Sequence, residues 1–478
     1  MTEMEQTENT NLTEREKLSR ILLNPTPLSS EEQHRQSLTN LTISIKDREL
    51  REGKLRHNEI AKMLNQLDHY KTMKDTDELY VYRNGVYIKE GELLIKRIVE
   101  QICSETVSRS YVSEIIACIK RKNQVDREIF DSAPDLLVVE NGILNIDTLT
   151  LAEHTPDHLS LKKLHRIYDP DARATEILKF LDIIVSKKDS QKLKEFIGYL
   201  LEPSYFIQKT FMLHGEANRG KSTFCNLLIK FLGQENISNT PLRKLTSDLG
   251  KAQLYGKIAN ISDELAQELI ENTADFKGLC GESLIEARFL YRNIFRFYNT
   301  AKLIFTSNEI PITQDLTDAF FKRWILIPFL TQFYHNAEPR IIPNYIDQLT
   351  TEEELSGLLN IALENRLELK QNGQFSFTNS IEENREFWTI LSDPIYRFIE
   401  TYCDTEQNAW LDKDDFFLKF SRYLTENNIP TLSQHKVTSR MKKKYSISER
   451  GSRGQQKEGW FGIKWKESEE GLKKYDNN

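Results

Sequence analysis

The chain has 478 residues, of which 39% are hydrophobic and 29% are charged, and its formal net charge is −7 at pH 7. This length allows about two to four domains with a sizeable core, and the lack of any apolar run near ~18–20 residues excludes a membrane-spanning protein. The acidic balance requires any nucleic-acid surface to be local. A polar N-terminus and five scattered cysteines predict a cytosolic protein without a signal peptide, disulfides or structural zinc.

Residues 1–75 are polar and highly charged. Their partial helical periodicity leaves two interpretations open: a helical arm for oligomerisation or a partner, and a solvated pair of helices. Residues 76–203 then combine helical patterns with two predicted β-hairpins, which turn at Asn84 and Asn141, each followed by glycine. We interpret this block as an α+β adaptor and oligomerisation domain, because it contains no constellation of nucleophile, base or metal ligands.

A phosphate-binding loop pattern lies near the start of the next domain, residues 204–335. The strand-like Lys209–Leu213 leads into Gly-x-x-x-x-Gly-Lys-Ser, and a helical pattern follows. Glycines let backbone N–H groups face a phosphate, at a helix N-terminus whose dipole also favours an anion. Lys221 offers a positive charge to the β- and γ-phosphates, and the Ser222 hydroxyl can hold Mg2+. The sequence therefore predicts an ATP and Mg2+ site built from Gly215, Glu216, Ala217, Asn218, Arg219, Gly220, Lys221, Ser222 and Thr223.

Polar side chains are predicted at the ends of two later strands of this domain. The apolar run Ile258–Ser262 is followed by two acids, of which Asp263 suits support of Mg2+ and Glu264 suits orienting or deprotonating the attacking water. The next strand ends in Asn308, whose amide can hydrogen-bond the γ-phosphate or that water. The alternatives are a surface pair of acids and an asparagine that only begins a turn.

Two basic segments of the same domain carry further candidates. Basic and aromatic residues interleave between the acids and Asn308, as in a hairpin that presents cations to phosphates and rings to bases. The alternative is an ordinary half-buried hairpin in which Phe295 and Phe297 belong to the core. Arg323 precedes a strand, where it can serve as an arginine finger on a neighbouring subunit's γ-phosphate or form a surface salt bridge.

The C-terminal part is predicted to be mainly helical. Residues 336–390 indicate a helical lid and linker, and residues 391–478 indicate three helices followed by a two-stranded hairpin, the order of a winged helix-turn-helix domain. A local excess of basic residues predicts a duplex-DNA footprint, with a solvated basic tail as the alternative. The candidates for DNA contact are Lys436, Arg440, Lys442, Lys443, Arg450 and Arg453.

Five segments, taken together and in order, resemble the superfamily 3 DNA helicases of the AAA+ class, and among them the phage/plasmid primase–helicase and poxvirus-type NTPase family. The resemblance implies an α/β fold in which an AAA+ core with a parallel sheet follows an α+β adaptor and precedes a winged-helix domain. It also implies the catalytic roles given above for Lys221, Ser222, Asp263, Glu264, Asn308 and Arg323. The five segments are Gly215–Thr223, Leu254–Leu265, Phe276–Leu279, Ala301–Pro311 and Lys322–Phe329.

This resemblance implies an ATP-dependent helicase, a homo-oligomer and usually a hexameric ring, that moves 3′-to-5′ on single-stranded DNA. It places a DNA-gripping hairpin in the ring channel, with Arg292 at its tip and with Arg296 and Lys277 as further candidates. The ~75 residues before the adaptor are too few for the primase domain of many relatives, so no primase activity is expected.

The expected function is that of a replication initiator of a phage satellite, plasmid or genomic island, acting in the host cytosol. Its partners would be single-stranded DNA, duplex origin DNA and host replication proteins. The alternative is a non-processive DNA-bound ATPase that melts an origin or loads another helicase. A P-loop kinase or metabolic NTPase leaves Asn308, Arg323 and the basic C-terminal part unexplained.

Overall fold

The computed structural model divides the chain into two compact units. The first is Met1–Ser132 with His154–Leu161, and the second is Ala133–Glu153 with Lys162–Asn478. The division between them falls inside the predicted adaptor, residues 76–203. The residues that the structure describes are 36–45, 48, 56–102, 107–215, 218–262, 273–308, 310–311, 313, 315, 317–329, 345–426, 432–444, 448–451 and 458–466.

The first unit contains helices and a small mixed sheet. Besides the helical residues 36–45, its described elements are α1 (His57–Leu67), β1 (Tyr70–Met73), β2 (Leu79–Arg83), β3 (Val86–Ile88), α2 (Gly91–Ile102), α3 (Arg109–Lys122) and β4 (Gln124–Val125). The strand order is β3-β2-β1-β4. The predicted hairpin at Asn84 is confirmed, because β2 pairs with β3 and both turn residues have positive φ, 46° at Asn84 and 99° at Gly85.

The second unit begins with the other predicted hairpin and continues to the C-terminus. None of the described helices of the chain is both long and apolar enough to cross a bilayer. The elements of this unit are β5 (Leu136–Val139), β6 (Gly142–Asn145), β7 (Thr150–Ala152), α4 (Thr175–Ile184), α5 (Lys187–Leu200), β8 (Thr210–His214), α6 (Lys221–Leu232), β9 (Ile237–Ser238), α7 (Asp248–Ala252), β10 (Ala259–Ser262), α8 (Thr273–Leu279), β11 (Leu284–Arg288), β12 (Ile294–Tyr298), β13 (Lys302–Ser307), α9 (Asp318–Phe321), β14 (Trp324–Pro328), α10 (Tyr345–Leu349), α11 (Glu352–Asn372), α12 (Ile381–Ser392), α13 (Pro394–Tyr402), β15 (Cys403–Asp412), α14 (Lys413–Glu426), α15 (Gln434–Lys444), β16 (Ser448–Gly451) and β17 (Glu458–Trp465).

A five-stranded parallel sheet organises this unit, and it confirms the predicted α/β class. The strand order is β14-β8-β13-β10-β9. Both faces of the sheet are covered, so its strands are short apolar runs. In β8, Phe211 and Leu213 belong to one hydrophobic cluster while Met212 belongs to another. This alternation is what a strand between two layers requires.

Part of the segment predicted as a lid and linker packs into the core of the second unit. The helix α11 lies against α5 so closely that a β-carbon on Gly198 would be 2.6 Å from the backbone nitrogen of Arg366. The buried Arg366 guanidinium forms ion pairs with Asp147 at 2.6 Å and with Glu202 at 3.0 Å. These contacts join α11 to the turn after β6 and to the end of α5.

The C-terminal part has the three predicted helices and the predicted strand at residues 459–465, which is β17. The other predicted strand, residues 445–448, lies mostly outside the described residues, and β16 begins at its last residue. The strand β15 was not predicted. Most residues of β15 are exposed and show no apolar alternation, so the sequence carries no strand signal there. The strand order is β15-β17-β16. One hydrophobic cluster joins the three helices to β17 through Ile395, Phe398, Phe416, Phe420, Val437, Met441, Trp460 and Ile463.

Candidate nucleotide-binding site

The described residues of the loop between β8 and α6 turn tightly, as those of a phosphate-binding loop would. Gly215, Asn218 and Gly220 have positive φ of 152°, 61° and 91°. A β-carbon at Gly215 would lie 2.4 Å from the carbonyl oxygen of Phe329, so this position requires glycine. Gly220 is the N-cap of α6 and brings no side chain to the first amides of the helix. An anion can take the place of that missing cap.

Lys221 and Asn308 meet at the end of the sheet. The last residues of β8 and β13, His214 and Ser307, are paired, which brings the two following residues close together. The buried Lys221 Nζ donates a hydrogen bond to the Gly215 carbonyl and, over 2.9 Å, another to the side-chain oxygen of Asn308. Both of these acceptors are neutral oxygens. An ammonium group and backbone amides are donors that fit a polyphosphate.

Other predicted residues of the site lie around this pair. Ser222 is exposed on the first turn of α6, and β10 ends at Ser262, at the same edge of the sheet as β8 and β13. The described residues contain no cluster of three or more metal-ligating side chains, so the Mg2+ site of Ser222 and Asp263 stays a prediction. The predicted residues that lie outside the described part of the chain are Glu216, Ala217, Asp263 and Glu264.

His214 stands directly before the loop and is neutral near pH 7. Burial, followed by the positive charges of Lys221 and Arg397, lowers the pKa of His214 to about 4. The imidazole therefore adds no positive charge of its own at this edge of the sheet.

Arg323 lies at the opposite end of the sheet from Lys221. Its carbonyl accepts a 2.7 Å hydrogen bond from the backbone N–H of Thr210, the first residue of β8. The five residues of β8 separate the two ends by roughly 13 Å. The Arg323 guanidinium donates to the carbonyl of Ala319, and burial lowers its pKa. Within one chain the structure therefore does not bring Arg323 and Lys221 together.

The predicted basic and aromatic hairpin is formed by β11 and β12, which are antiparallel. Phe295 and Phe297 are buried, as the core interpretation expects. The turn is open to solvent, since Tyr291 is 95% exposed and the neighbouring Arg292 is exposed. The hairpin therefore combines a buried inner face with an exposed basic and aromatic tip.

Two other DNA-contact candidates of this region are engaged in ion pairs. Lys277 Nζ lies 2.5 Å from the carboxylate of Asp315, and Arg296 lies 3.1 Å from that of Glu286. Burial alone would raise the pKa of Asp315, but hydrogen bonds, first that from Lys277, hold it well below its usual range. A DNA phosphate would have to compete with these carboxylates for Lys277 and Arg296. Arg292 is therefore the best placed of the three candidates to contact DNA.

Three of the six C-terminal candidates can be located, all on α15. Val437 and Met441 are fully buried on one side of this helix. Lys442 and Lys443 are exposed and Arg440 is half-buried. The helix therefore presents a basic surface opposite its buried residues. The side chains of Lys436, Arg450 and Arg453 lie outside the described part of the chain.

Comparison with known proteins adds two family matches to this geometry. Residues 31–186 match the family described as D5 N terminal like. Residues 213–323 match a family of unknown function, DUF5906, and this interval contains both Lys221 and Arg323. Each match covers less than half of the chain.

Individual relatives are distant. A curated protein of Invertebrate iridescent virus 3, named "Putative helicase 121R", is 21% identical over 367 residues. The match covers 68% of this chain but only 39% of the viral protein's length. Two solved apo structures of the NrS-1 C terminal region are 12% and 13% identical, with TM-scores of 0.46 and 0.42. Each of these alignments covers 86% of this chain and 100% of the solved chain.

One supporting residue of the site was missed by sequence reasoning. Arg166 donates hydrogen bonds to the carbonyls of Lys230 and Phe231 in the last turn of α6, and it forms a 3.1 Å ion pair with Glu352. A cation at this end of a helix satisfies free carbonyls and opposes the helix dipole. Arg166 therefore anchors the helix that follows the predicted phosphate-binding loop. Its sequence signal is no more than a basic residue 64 positions before Lys230, whose carbonyl it contacts.

An Arg166→Ala variant is expected to be less stable by about 1–3 kcal/mol, because two carbonyls and a carboxylate lose a charged partner. Thermal unfolding should show a midpoint lower by roughly 2–8 °C. Arg166→Lys keeps the charge without the planar fork and should recover part of the loss. A midpoint equal to that of the wild type in the alanine variant would remove the anchoring role.

Proposed function

We propose that this protein is an ATP-dependent DNA helicase that acts as the replication initiator of a phage satellite, plasmid or genomic island in its host's cytosol. The observation that carries the proposal is the Lys221 ammonium, 2.9 Å from the Asn308 side chain where two adjacent parallel strands end. A cation, an amide and acids at neighbouring strand ends are the set that phosphoryl transfer uses. The D5 N terminal like match and the name of the viral relative support the helicase class.

Each residue of the site then has a chemical role toward ATP and Mg2+. The loop amides from Gly215 to Thr223 would hold the phosphates, and Lys221 would balance their negative charge. Ser222 and Asp263 would hold Mg2+, which supplies charge neutralisation at the transferred phosphoryl group. Glu264 would orient the attacking water and accept its proton, and Asn308 would hydrogen-bond that water or the γ-phosphate.

A ring of identical subunits would give Arg323 a catalytic role. In the proposed AAA+ core, the guanidinium would act on the nucleotide of the next subunit. The separation of Arg323 from Lys221 within one chain supports this action between subunits. A hexamer would surround single-stranded DNA and move along it in the 3′-to-5′ direction. The exposed Tyr291 and Arg292 would then contact the strand by stacking and by charge.

Duplex origin DNA is the proposed ligand of the C-terminal domain. Its element order, helix, strand, two helices and two strands, supports a winged helix-turn-helix. The helix α15 would enter the major groove with the basic surface that contains Lys442 and Lys443. The loop between β16 and β17, which contains Arg453, would reach the adjacent backbone.

A Lys442→Glu/Lys443→Glu double variant should bind duplex DNA at least about tenfold more weakly, because two phosphate contacts are lost. The slope of log affinity against log salt should fall by about two. Fluorescence anisotropy titrations at several salt concentrations measure both quantities. A Lys62→Glu/Lys122→Glu variant has the same net charge, with both changes on exposed positions of the first unit, and serves as the control. Equal weakening in the two variants would contradict a local DNA footprint.

A non-processive DNA-bound ATPase, which melts an origin or loads another helicase, is the second candidate. The ion pairs of Lys277 and Arg296 favour it, because they leave fewer free cations to grip a strand. A forked-duplex assay with a labelled strand separates the two functions. Strand release that requires ATP and is lost in Lys221→Ala supports the helicase. ATP hydrolysis without strand release supports the alternative.

A further inference from the structure

The helix α12 connects the predicted catalytic elements to the C-terminal domain. We propose that it couples DNA binding by that domain to ATP hydrolysis, with Asn384 and Trp388 as positioning residues for the segments that carry Asn308 and Arg323. This inference rests on the proposed function. The helix begins with a capping box, in which Ser380 and Glu383 exchange side-chain and backbone hydrogen bonds of 2.7 and 3.1 Å.

Trp388 holds the chain just after Asn308. The indole is 1% exposed, and its Nε1–H donates a 3.0 Å hydrogen bond to the carbonyl of Pro311. The ring packs against Trp324 and Phe320, with centroids 5.0 and 5.3 Å away. Pro311 is three residues after Asn308, so a shift of this helix would move the segment that places the Asn308 amide next to Lys221.

Asn384 contacts the backbone on both sides of Arg323. Its side-chain amide is buried and donates to the carbonyls of Phe321 and Trp324, at 3.3 and 3.1 Å. Arg385 adds an ion pair with Asp318, the first residue of α9. One face of α12 therefore fixes the backbone before and after Arg323, in addition to the backbone after Asn308.

The C-terminal end of α12 is joined to the C-terminal domain by a very short connection. A single residue, Asp393, separates Ser392 at the end of α12 from Pro394 at the start of α13. The Asp393 carboxylate caps α13 by accepting from the amides of Ile395 and Tyr396, at 3.0 and 3.3 Å. A motion of the DNA-binding domain would therefore act directly on the end of α12.

Phosphoryl transfer tolerates little misplacement of its catalytic groups. A displacement of about 1 Å at a catalytic group costs on the order of a hundredfold in rate. DNA bound to the C-terminal domain can therefore set the rate of hydrolysis without contacting ATP.

The test uses full-length Trp388→Phe, which keeps an aromatic ring but loses the N–H donor, and Asn384→Leu, which loses both amide donors. Glu382→Gln, on the exposed side of the same helix, is the control. The measurements are kcat and KM for Mg-ATP with and without forked DNA, thermal unfolding, and hydrogen exchange of residues 302–311 and 318–328. We expect kcat to fall at least about tenfold with KM within about threefold, the response to DNA to disappear, and exchange to rise in those two segments but not in α6.

Two results would overturn the coupling. One is normal kcat and a normal DNA response in folded variants. The other is a lower unfolding midpoint with unchanged kcat per folded molecule, which would make the contacts merely structural. If the wild type hydrolyses no ATP, the proposed function fails, and hydrogen exchange is then the test of the coupling. DNA should slow hydrogen exchange of residues 302–311 in the wild type but not in Trp388→Phe. An equal response in the two proteins would refute the coupling.

Discussion

Replacing Lys221 with alanine is expected to lower ATP turnover by at least about a hundredfold, the cost of losing one charge-stabilising group from a phosphoryl-transfer site. The ammonium is the buried cation of the loop, and it lies against the Gly215 carbonyl and the Asn308 side chain. His214 cannot replace it, because its pKa of about 4 leaves the imidazole neutral. Phosphate release at saturating Mg-ATP measures the loss.

Lys230→Ala is the matched control, since Lys230 lies on the same helix but is exposed in its last turn. It should retain wild-type turnover. Binding of a fluorescent ATP analogue separates a loss of affinity from a loss of chemistry in the Lys221 variant. Normal turnover in Lys221→Ala would remove the proposed site.

An Arg323→Ala variant is expected to bind ATP nearly normally and to lose on the order of a thousandfold in hydrolysis, the scale of an arginine finger. The predicted nucleotide site of one chain does not include Arg323, which lies at the far end of β8. Its loss therefore matters only where a neighbour's guanidinium completes the site. Nucleotide titrations and turnover of the assembled protein measure the two effects separately.

Mixing variants tests whether the residue acts between subunits. In a mixture of Arg323→Ala and Lys221→Ala subunits, some interfaces combine an intact loop with an intact arginine, so hydrolysis should reappear. Lys322→Ala, at the exposed neighbouring position, should leave turnover unchanged. The absence of any recovery across mixing ratios would count against action across an interface.

Local patterns predicted the parts of the fold that depend on neighbouring residues in the chain. Alternation in β8 and β13, positive φ at the loop glycines and the apolar face of α6 are all set within a few residues. The meeting of Lys221 with Asn308 could also be expected, because the carboxyl ends of parallel strands share an edge. The roles of these side chains remain predictions.

Contacts between distant segments could not be predicted. Arg166 caps a helix 64 residues later, and Trp388 donates to a carbonyl 77 residues earlier. The strand β15 carries no apolar alternation and is formed by its pairing with β17. The sequence indicated Lys277 as a DNA contact. In the fold it forms an ion pair with Asp315, which lies 38 residues later in the chain.

The most direct test of the account is the rate of ATP hydrolysis per subunit as a function of protein concentration, with and without single-stranded DNA, with particle mass recorded in parallel. The account predicts a rate that rises as subunits associate and rises again when DNA is added, because the nucleotide of one subunit needs Arg323 of the next. A monomeric particle that hydrolyses ATP at full rate at every concentration, unaffected by DNA, would contradict it.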